Sequence, residues 1–328
     1  MSDGKEINLS VEEEPKINND ESKKDNATSS VKKEEKKVKI PSWREFVKSS
    51  SVEEVKNRFI KEAKDIVSKY NDKLSNYCFI SMLDPESSIT SWDLDKIFNA
   101  LSRSNAKKEK DILLMILSSG GSIEPAYQIS KLCKSFSKDK FVVSVPRQAK
   151  SAATLIAIGA DEIHMGPLGQ LGPIDPQLGG LPALGVTQAL KFIASLSERF
   201  PGSAEMFARY LTLALTVEQI GYCERISESA SQYAERLLLT KTNLAKKASH
   251  IARELVYEYK DHGFVIDLDE ARQHLGDEWI LSDTPEASMT EEIYGLFEEV
   301  NLFLDIIKEK RLLLIGTLDD VLIFNRRR

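Results

Sequence analysis

Residues 111–122 read DILLMILSSGGS, and the run from Ile112 to Leu117 is apolar without alternation until two serines and two glycines close it. A short apolar run bounded by turn residues is what a strand buried on both faces requires, since neither face can be left polar. A helical pattern follows over 122–136. The unit then recurs as a strand at 141–145 (FVVSV), a turn at 147–151 (RQAKS), a helix over 151–158 and a strand at 162–165. Strands alternating with helices predict βαβ units, a parallel sheet and right-handed crossovers, hence an α/β fold. Upstream, a strand over 77–83 leads into a helix carrying Trp92, Leu94, Ile97, Phe98 and Leu101. Before it, Trp43, Phe46, Val52, Val55, Phe59 and Ile60 are spaced for a helix reaching about Tyr70. Downstream, a Gly/Pro-rich loop spans Gly166 to about Gly185. A helical C-terminal region follows from about 186, its last helix at 291–308, and two β-like runs close the chain at 311–318 and 321–324.

The composition narrows the function classes. The 328 residues carry 45 Lys and Arg against 51 Asp and Glu, a net charge of −6. An acidic chain lacks the basic field that nucleic acid rewards, so no nucleic-acid partner is expected. Cys78, Cys133 and Cys223 are odd in number and far apart, which suits neither a disulfide framework nor a zinc site and points to the reducing cytoplasm. The first residues lack the apolar stretch of a secretory signal, and no apolar run approaches the roughly 20 residues of a membrane span. Residues 1–40 hold nine lysines, ten acidic residues and no aromatic. They read as a disordered charged tail, with the globular domain occupying 41–328.

Two turns lie where a buried strand hands over to a helix, the expected position of a site in a parallel sheet. In Ser118-Ser119-Gly120-Gly121-Ser122 the paired glycines let the backbone approach a ligand and present N–H groups, as an oxyanion hole requires. In Arg147-Gln148-Ala149-Lys150-Ser151-Ala152-Ala153 a serine opens a helix of small residues, so its hydroxyl can stand at the rim of the sheet. Taken singly, Ser151 reads as an N-cap and Gly120-Gly121 as a turn. Their placement one strand and one helix apart lets a nucleophile and oxyanion donors face one carbonyl.

The segments SSGGSIEPAYQIS, VPRQAKSAATLIAIGADEIHMGP and LGPIDPQ together resemble the Clp protease and crotonase superfamily, and within it the serine dehydrogenase proteinase family, relatives of the S49-type signal peptide peptidases. The resemblance is dense over 78–177. It implies a Clp/crotonase-like fold of repeated β-β-α units and a serine peptidase with Ser151 as nucleophile. Gly121 and Ala152 would supply the oxyanion-hole N–H groups, and Gly120 the turn. LGPIDPQ would border the peptide groove. The partners implied are a peptide or protein substrate and further copies of the chain in a homo-oligomer. Ser119 departs from the proline usual in the first motif, and Ala153 from a common glycine.

The general base is open at this level. Clp-type peptidases place a histidine about 25 residues after the serine, where this chain has Asp175-Pro176-Gln177. Signal peptide peptidase relatives use a lysine 40 to 50 residues downstream, and Lys191 is the first basic residue after His164. Flanked by Leu190, Phe192 and Ile193, it would act as a base if buried; otherwise it is a solvent-facing helical lysine. His262 competes, because Asp261-His262-Gly263-Phe264-Val265-Ile266 resembles a histidine segment late in the serine dehydrogenase proteinase family; a surface histidine is the plain alternative. Lys150 adjoins Ser151 with diverging geometry, and His164 sits inside a strand. His250 and His274 lack partners at metal-ligand spacing, so no metal is expected, and no P-loop or other cofactor motif is present. Two other readings share these residues: a crotonase-like acyl-CoA enzyme using the same donors on a thioester, and a catalytically silent scaffold.

Overall fold

The computed structural model describes residues 41–178 and 181–326. The charged tail expected over 1–40 lies outside them. Helices α1 (Trp43–Ser49), α2 (Val52–Lys69) and α3 (Asn71–Leu74) precede strand β1 (Tyr77–Asp84). There follow α4 (Ser91–Ser104), β2 (Asp111–Ser118), α5 (Ile123–Phe136), β3 (Phe141–Val145), β4 (Gln148–Ala149), α6 (Ala152–Ile158) and β5 (Glu162–Met165). Short strands β6 (Gln170–Leu171), β7 (Gln177–Leu178) and β8 (Leu181–Pro182) cross the loop region. Then come α7 (Ala183–Arg199), α8 (Ala204–Ala214), α9 (Val217–Leu238), α10 (Ala248–Arg253), α11 (Leu268–Leu275), β9 (Ile280–Leu281), α12 (Pro285–Lys308), β10 (Lys310–Gly316) and β11 (Val321–Asn325).

The main sheet runs β11-β10-β1-β2-β3-β5-β9, with β4 joining β2 to β6. Strands β1, β2, β3, β5 and β9 are parallel, and β10 is antiparallel to both neighbours. Both faces are covered, as the unalternating strands demand. Ile112, Leu114 and Ile116 of β2 enter a core shared with α4, α5, α6 and α9. Leu113, Met115 and Leu117 enter a second core with α1, α2 and α12. A period-two side-chain alternation thus distributes one apolar run over two layers.

The expected helix over 43–70 is two helices. Ser51 interrupts it: its hydroxyl accepts from the Glu54 N–H, and the Glu54 carboxylate accepts from the Ser51 N–H at 2.7 Å. This capping box satisfies donors that a continuous helix would have satisfied internally. Strand β9 pairs Ile280 with Ile163 and extends the parallel sheet; its two residues are too few to show a period.

Candidate active site

The carboxyl ends of β2 and β4 bring the two turns together. Ser118 pairs with Ala149, and the Lys150 N–H donates to the Ser118 carbonyl at 3.0 Å. Gly120 has φ +107°, and a Cβ there would lie 2.6 Å from the Ser151 Cβ and 2.8 Å from the Lys150 carbonyl oxygen. Only glycine lets the turns touch. The Gly120 N–H is spent on the Ser118 hydroxyl at 3.1 Å, so this residue shapes the turn and donates nothing outward. Ile89 clamps the turn from the other side: its N–H donates to the Gly120 carbonyl and its carbonyl accepts from Ser122, both at 2.9 Å. The N–H groups of Gly121 and Ala152 have no partner among the described residues. They flank Ser151, Gly121 in the turn against it and Ala152 as the first residue of α6.

Ser151 has φ 53° and ψ −120°, a left-handed conformation that costs a non-glycine residue roughly 1–3 kcal/mol. It occupies the N-cap position of α6, yet its side chain makes no cap hydrogen bond. The capping interpretation of this serine therefore fails, and the hydroxyl is left for another use. Helix α6 behind it is wholly buried. Thr154 ties that helix to the loop beyond β6: its hydroxyl lies 2.7 Å from the Ala149 carbonyl and 2.8 Å from that of Gly172, and accepts from the Gly172 N–H at 3.1 Å.

The third element of the site arrives from far along the chain. Leu171 and Ile266 exchange backbone hydrogen bonds at 2.9 and 3.1 Å, and the Ile174 N–H donates to Leu255 at 2.8 Å. This pairing lays the loop after α10 beside the 172–177 segment. There Asp175, 5% exposed, sits 2.6 Å from the His262 Nδ1 through its Oδ1, while its Oδ2 accepts from the Gln177 Nε2 at 2.9 Å. Both carboxylate oxygens are satisfied, as a buried acid requires. The Asp175 hydrogen bond raises the His262 pKa above its ordinary value, against burial and the nearby Lys150 charge, which lower it. With Nδ1 engaged, Nε2 is the free ring nitrogen. Ser151, His262, Gln177 and the 119–122 turn line one cavity of about 570 Å³, which Tyr222, Ile226 and Tyr233 of α9 also line.

The other basic candidates lie elsewhere. Lys191 is exposed on α7, as is Phe192, and Lys191 is not among the residues lining the cavity; the burial its use as a base demands is missing. Lys150 extends to the histidine loop, where its Nζ donates to the Gly263 carbonyl at 2.9 Å. His164 is buried in β5 with Nδ1 2.7 Å from the Thr284 hydroxyl, and His274 is held by Glu254 and Tyr259. At the level of sequence, Asp175 and Gln177 have no role beyond standing where a Clp-type histidine would be; an acid between Pro173 and Pro176 in LGPIDPQ is the signal the sequence offers. Among the described residues, no group of three or more His, Cys, Asp or Glu is placed to hold a metal ion, and no helix is long and apolar enough to cross a membrane.

The sequence profile of a family described as ClpP-like SDH-type serine proteinase matches residues 86–196. An uncharacterized protein of Methanocaldococcus jannaschii is 30% identical over 210 residues, which make up 64% of this chain and 65% of the relative. A second uncharacterized protein of that organism is 36% identical over 101 residues, 31% of this chain and 34% of the relative. The chain thus spans less than two thirds of the length of either. Among solved structures, a mutant of the 1510-N membrane-bound stomatin-specific protease aligns over 69% of this chain and 85% of its own, at 16% identity and a TM-score of 0.41. ClpP1 from Listeria monocytogenes aligns over 68% and 99%, at 14% identity and a TM-score of 0.38.

Proposed function

We propose, from the premise that residues 86–196 belong to the ClpP-like SDH-type serine proteinase family, that this chain is a serine peptidase acting through Ser151, His262 and Asp175. The Ser151 Oγ attacks a peptide carbonyl while its proton passes to the His262 Nε2. Asp175 accepts the Nδ1–H, fixing the tautomer and stabilising the imidazolium. The negative charge that develops on the carbonyl oxygen is met by the Gly121 and Ala152 N–H groups. His262 returns the proton to the leaving amine as the C–N bond breaks. Water, deprotonated by His262, then hydrolyses the acyl-enzyme. Lys191 has no part in this scheme. The observation that carries the reading is His262, held by the buried Asp175, lining the same cavity as a strained serine whose hydroxyl caps nothing.

We further propose that the chain works as a homo-oligomer, joined through the apolar face that α7 and α8 leave exposed.

The test is labelling by a fluorophosphonate probe. Wild type and Lys191→Ala are expected to label, whereas Ser151→Ala does not and His262→Ala loses about 10³-fold or more in rate. Labelling retained by His262→Ala but lost by Lys191→Ala would overturn the assignment of the base. An unlabelled wild type with saturable CoA binding would mark a thioester enzyme, and one with neither activity a scaffold.

A further inference from the structure

The segment between β1 and α4, residues 85–90, stands between two open spaces. Glu86, Ser87 and Ser88 line the cavity that holds Ser151, and Ser87 and Ser88 also line a second cavity of about 630 Å³ on the other side. Its polar residues Glu86, Ser87 and Ser88 are not packed into a core, whereas Ile89, 3% exposed, is, and through Ile89 the segment clamps the Gly120-Gly121 turn on both sides. A Cβ on Gly121 would lie 2.1 Å from the Ile89 nitrogen, so the two backbones are in direct contact. Ile89 is thus the point at which residues 85–90 bear on the Gly121 peptide.

The Ser119 hydroxyl donates to the Pro85 carbonyl at 2.8 Å, and the polar residues that follow are held from the far end of the chain. Arg311 of β10 is 9% exposed. Its Nη2 donates to the Ser87 hydroxyl at 2.6 Å and its Nη1 to the Glu86 carboxylate at 3.1 Å, with Asp84 3.5 Å away. The Asp84 carboxylate in turn accepts from the N–H groups of Glu86 and Ser87 at 3.3 and 3.0 Å. The guanidinium Nε is buried with no partner. An orphaned buried donor is a cost in stability, so this arginine is not explained by stability alone.

We propose that Arg311 is a positioning residue for the oxyanion hole, acting through Glu86, Ser87 and Ile89 on the Gly121 N–H. It rests on the serine peptidase reading for its chemical consequence, though not for its structural one. A planar fork is suited to the task because it fixes two acceptors in one geometry, which a point charge does not.

Two measurements test it. Amide hydrogen exchange reads the positioning without any chemistry. In Arg311→Met, residues 86–90 and 118–122 are expected to exchange about tenfold faster while β2 and β3 keep wild-type protection. The double variant Glu86→Gln/Ser87→Ala, which leaves the buried arginine in place, should reproduce the effect. Fluorophosphonate labelling reads the consequence: Arg311→Met should slow it about 10- to 100-fold, the penalty of a misplaced catalytic group, with Arg311→Lys partly restored. Peptide affinity on a Ser151→Ala background should change less than about twofold, because donors aimed at a developing charge act on the transition state. Unchanged exchange at 118–122 in both the methionine and the double variant would overturn the proposal. Faster exchange in an enzyme whose wild type does not label would instead sink the peptidase reading and leave the clamp standing.

Discussion

Among single residues, the His262–Asp175 pair gives activity and stability opposite dependences on pH. As a base His262 must be neutral, so the acylation rate falls as pH drops through its pKa, which the Asp175 hydrogen bond holds above the ordinary histidine value. The stability contribution has the other sign: a pKa raised in the folded state adds stability fully present below the unfolded pKa and lost as pH rises through the folded one. Asp175→Asn removes the largest raising interaction and leaves burial and Lys150, which lower the pKa, with Asp261 alone still raising it. Its labelling rate is expected to fall about 10⁴-fold through loss of the correct tautomer. The acid limb of its residual rate should lie at lower pH than in wild type, and the deficit in its melting temperature should shrink above the wild-type pKa. A limb that stays in place would separate His262 from the reaction. The local parts of this site were legible because they are written in contiguous residues: Ser151 and the glycine turn are each a few positions long. The pair was not, since 87 residues separate its members and tertiary backbone contacts, Leu171 with Ile266 and Ile174 with Leu255, bring them together. The exposure of Lys191 was hidden for a related reason. Its apolar flanks are neighbours in sequence, but successive residues of a helix point about 100° apart, so Leu190 and Phe192 do not bury the lysine between them.

At the scale of elements, α6 has to present Ser151 rigidly, and one hydroxyl secures it to two other segments. Thr154 is fully buried and spans the Ala149 carbonyl and both polar groups of the Gly172 peptide junction. Thr154→Val keeps the volume and strips these partners, leaving buried groups unsatisfied, so it is expected to cost about 1–3 kcal/mol in denaturant unfolding. Because the Gly172 segment leads to Asp175, labelling should slow as well; a variant with wild-type stability and rate would show the hydroxyl to be idle. Strand β2 was readable because burial on both faces leaves an unbroken apolar run, and β3 and β5 because their short buried stretches alternate with helical patterns. The division of 43–70 into α1 and α2 turned on the Ser51–Glu54 capping box, a polar signal hidden within a continuous apolar spacing. Strand β9 owes its existence to an edge that β5 offers, which no property of Ile280 and Leu281 announces.

At the scale of the whole molecule, α7 and α8 leave a helical face outside the core among the described residues. Helix α8 contains no buried residue, and Phe192, Phe200, Met206 and Tyr210 around it are all exposed, with Leu213 at 89% and Val217 at 82%. A helix of 11 residues is marginal alone in water and normally owes its stability to packing of an apolar face. Fully burying a leucine side chain is worth roughly 1.5–3 kcal/mol, so several such residues covered together would suffice to drive association, and charge does not oppose it: Arg209 is paired with Glu205 within the helix itself. The same stretch continues into α9, whose Tyr222 lines the cavity with Ser151. If the chain assembles through this face as proposed, covering α8 would brace the helix whose Tyr222 lines the cavity. In sedimentation velocity, wild type is expected to run as an oligomer at micromolar concentration, and Tyr210→Asp/Leu213→Asp as a smaller species with unchanged far-UV dichroism at the core. Its labelling rate should fall too, through the unsupported wall, while the pH limb set by His262 stays where it was. A monomeric wild type, or a double variant that sediments like it, would remove the oligomer from the account and leave the exposed face without a partner of its own kind.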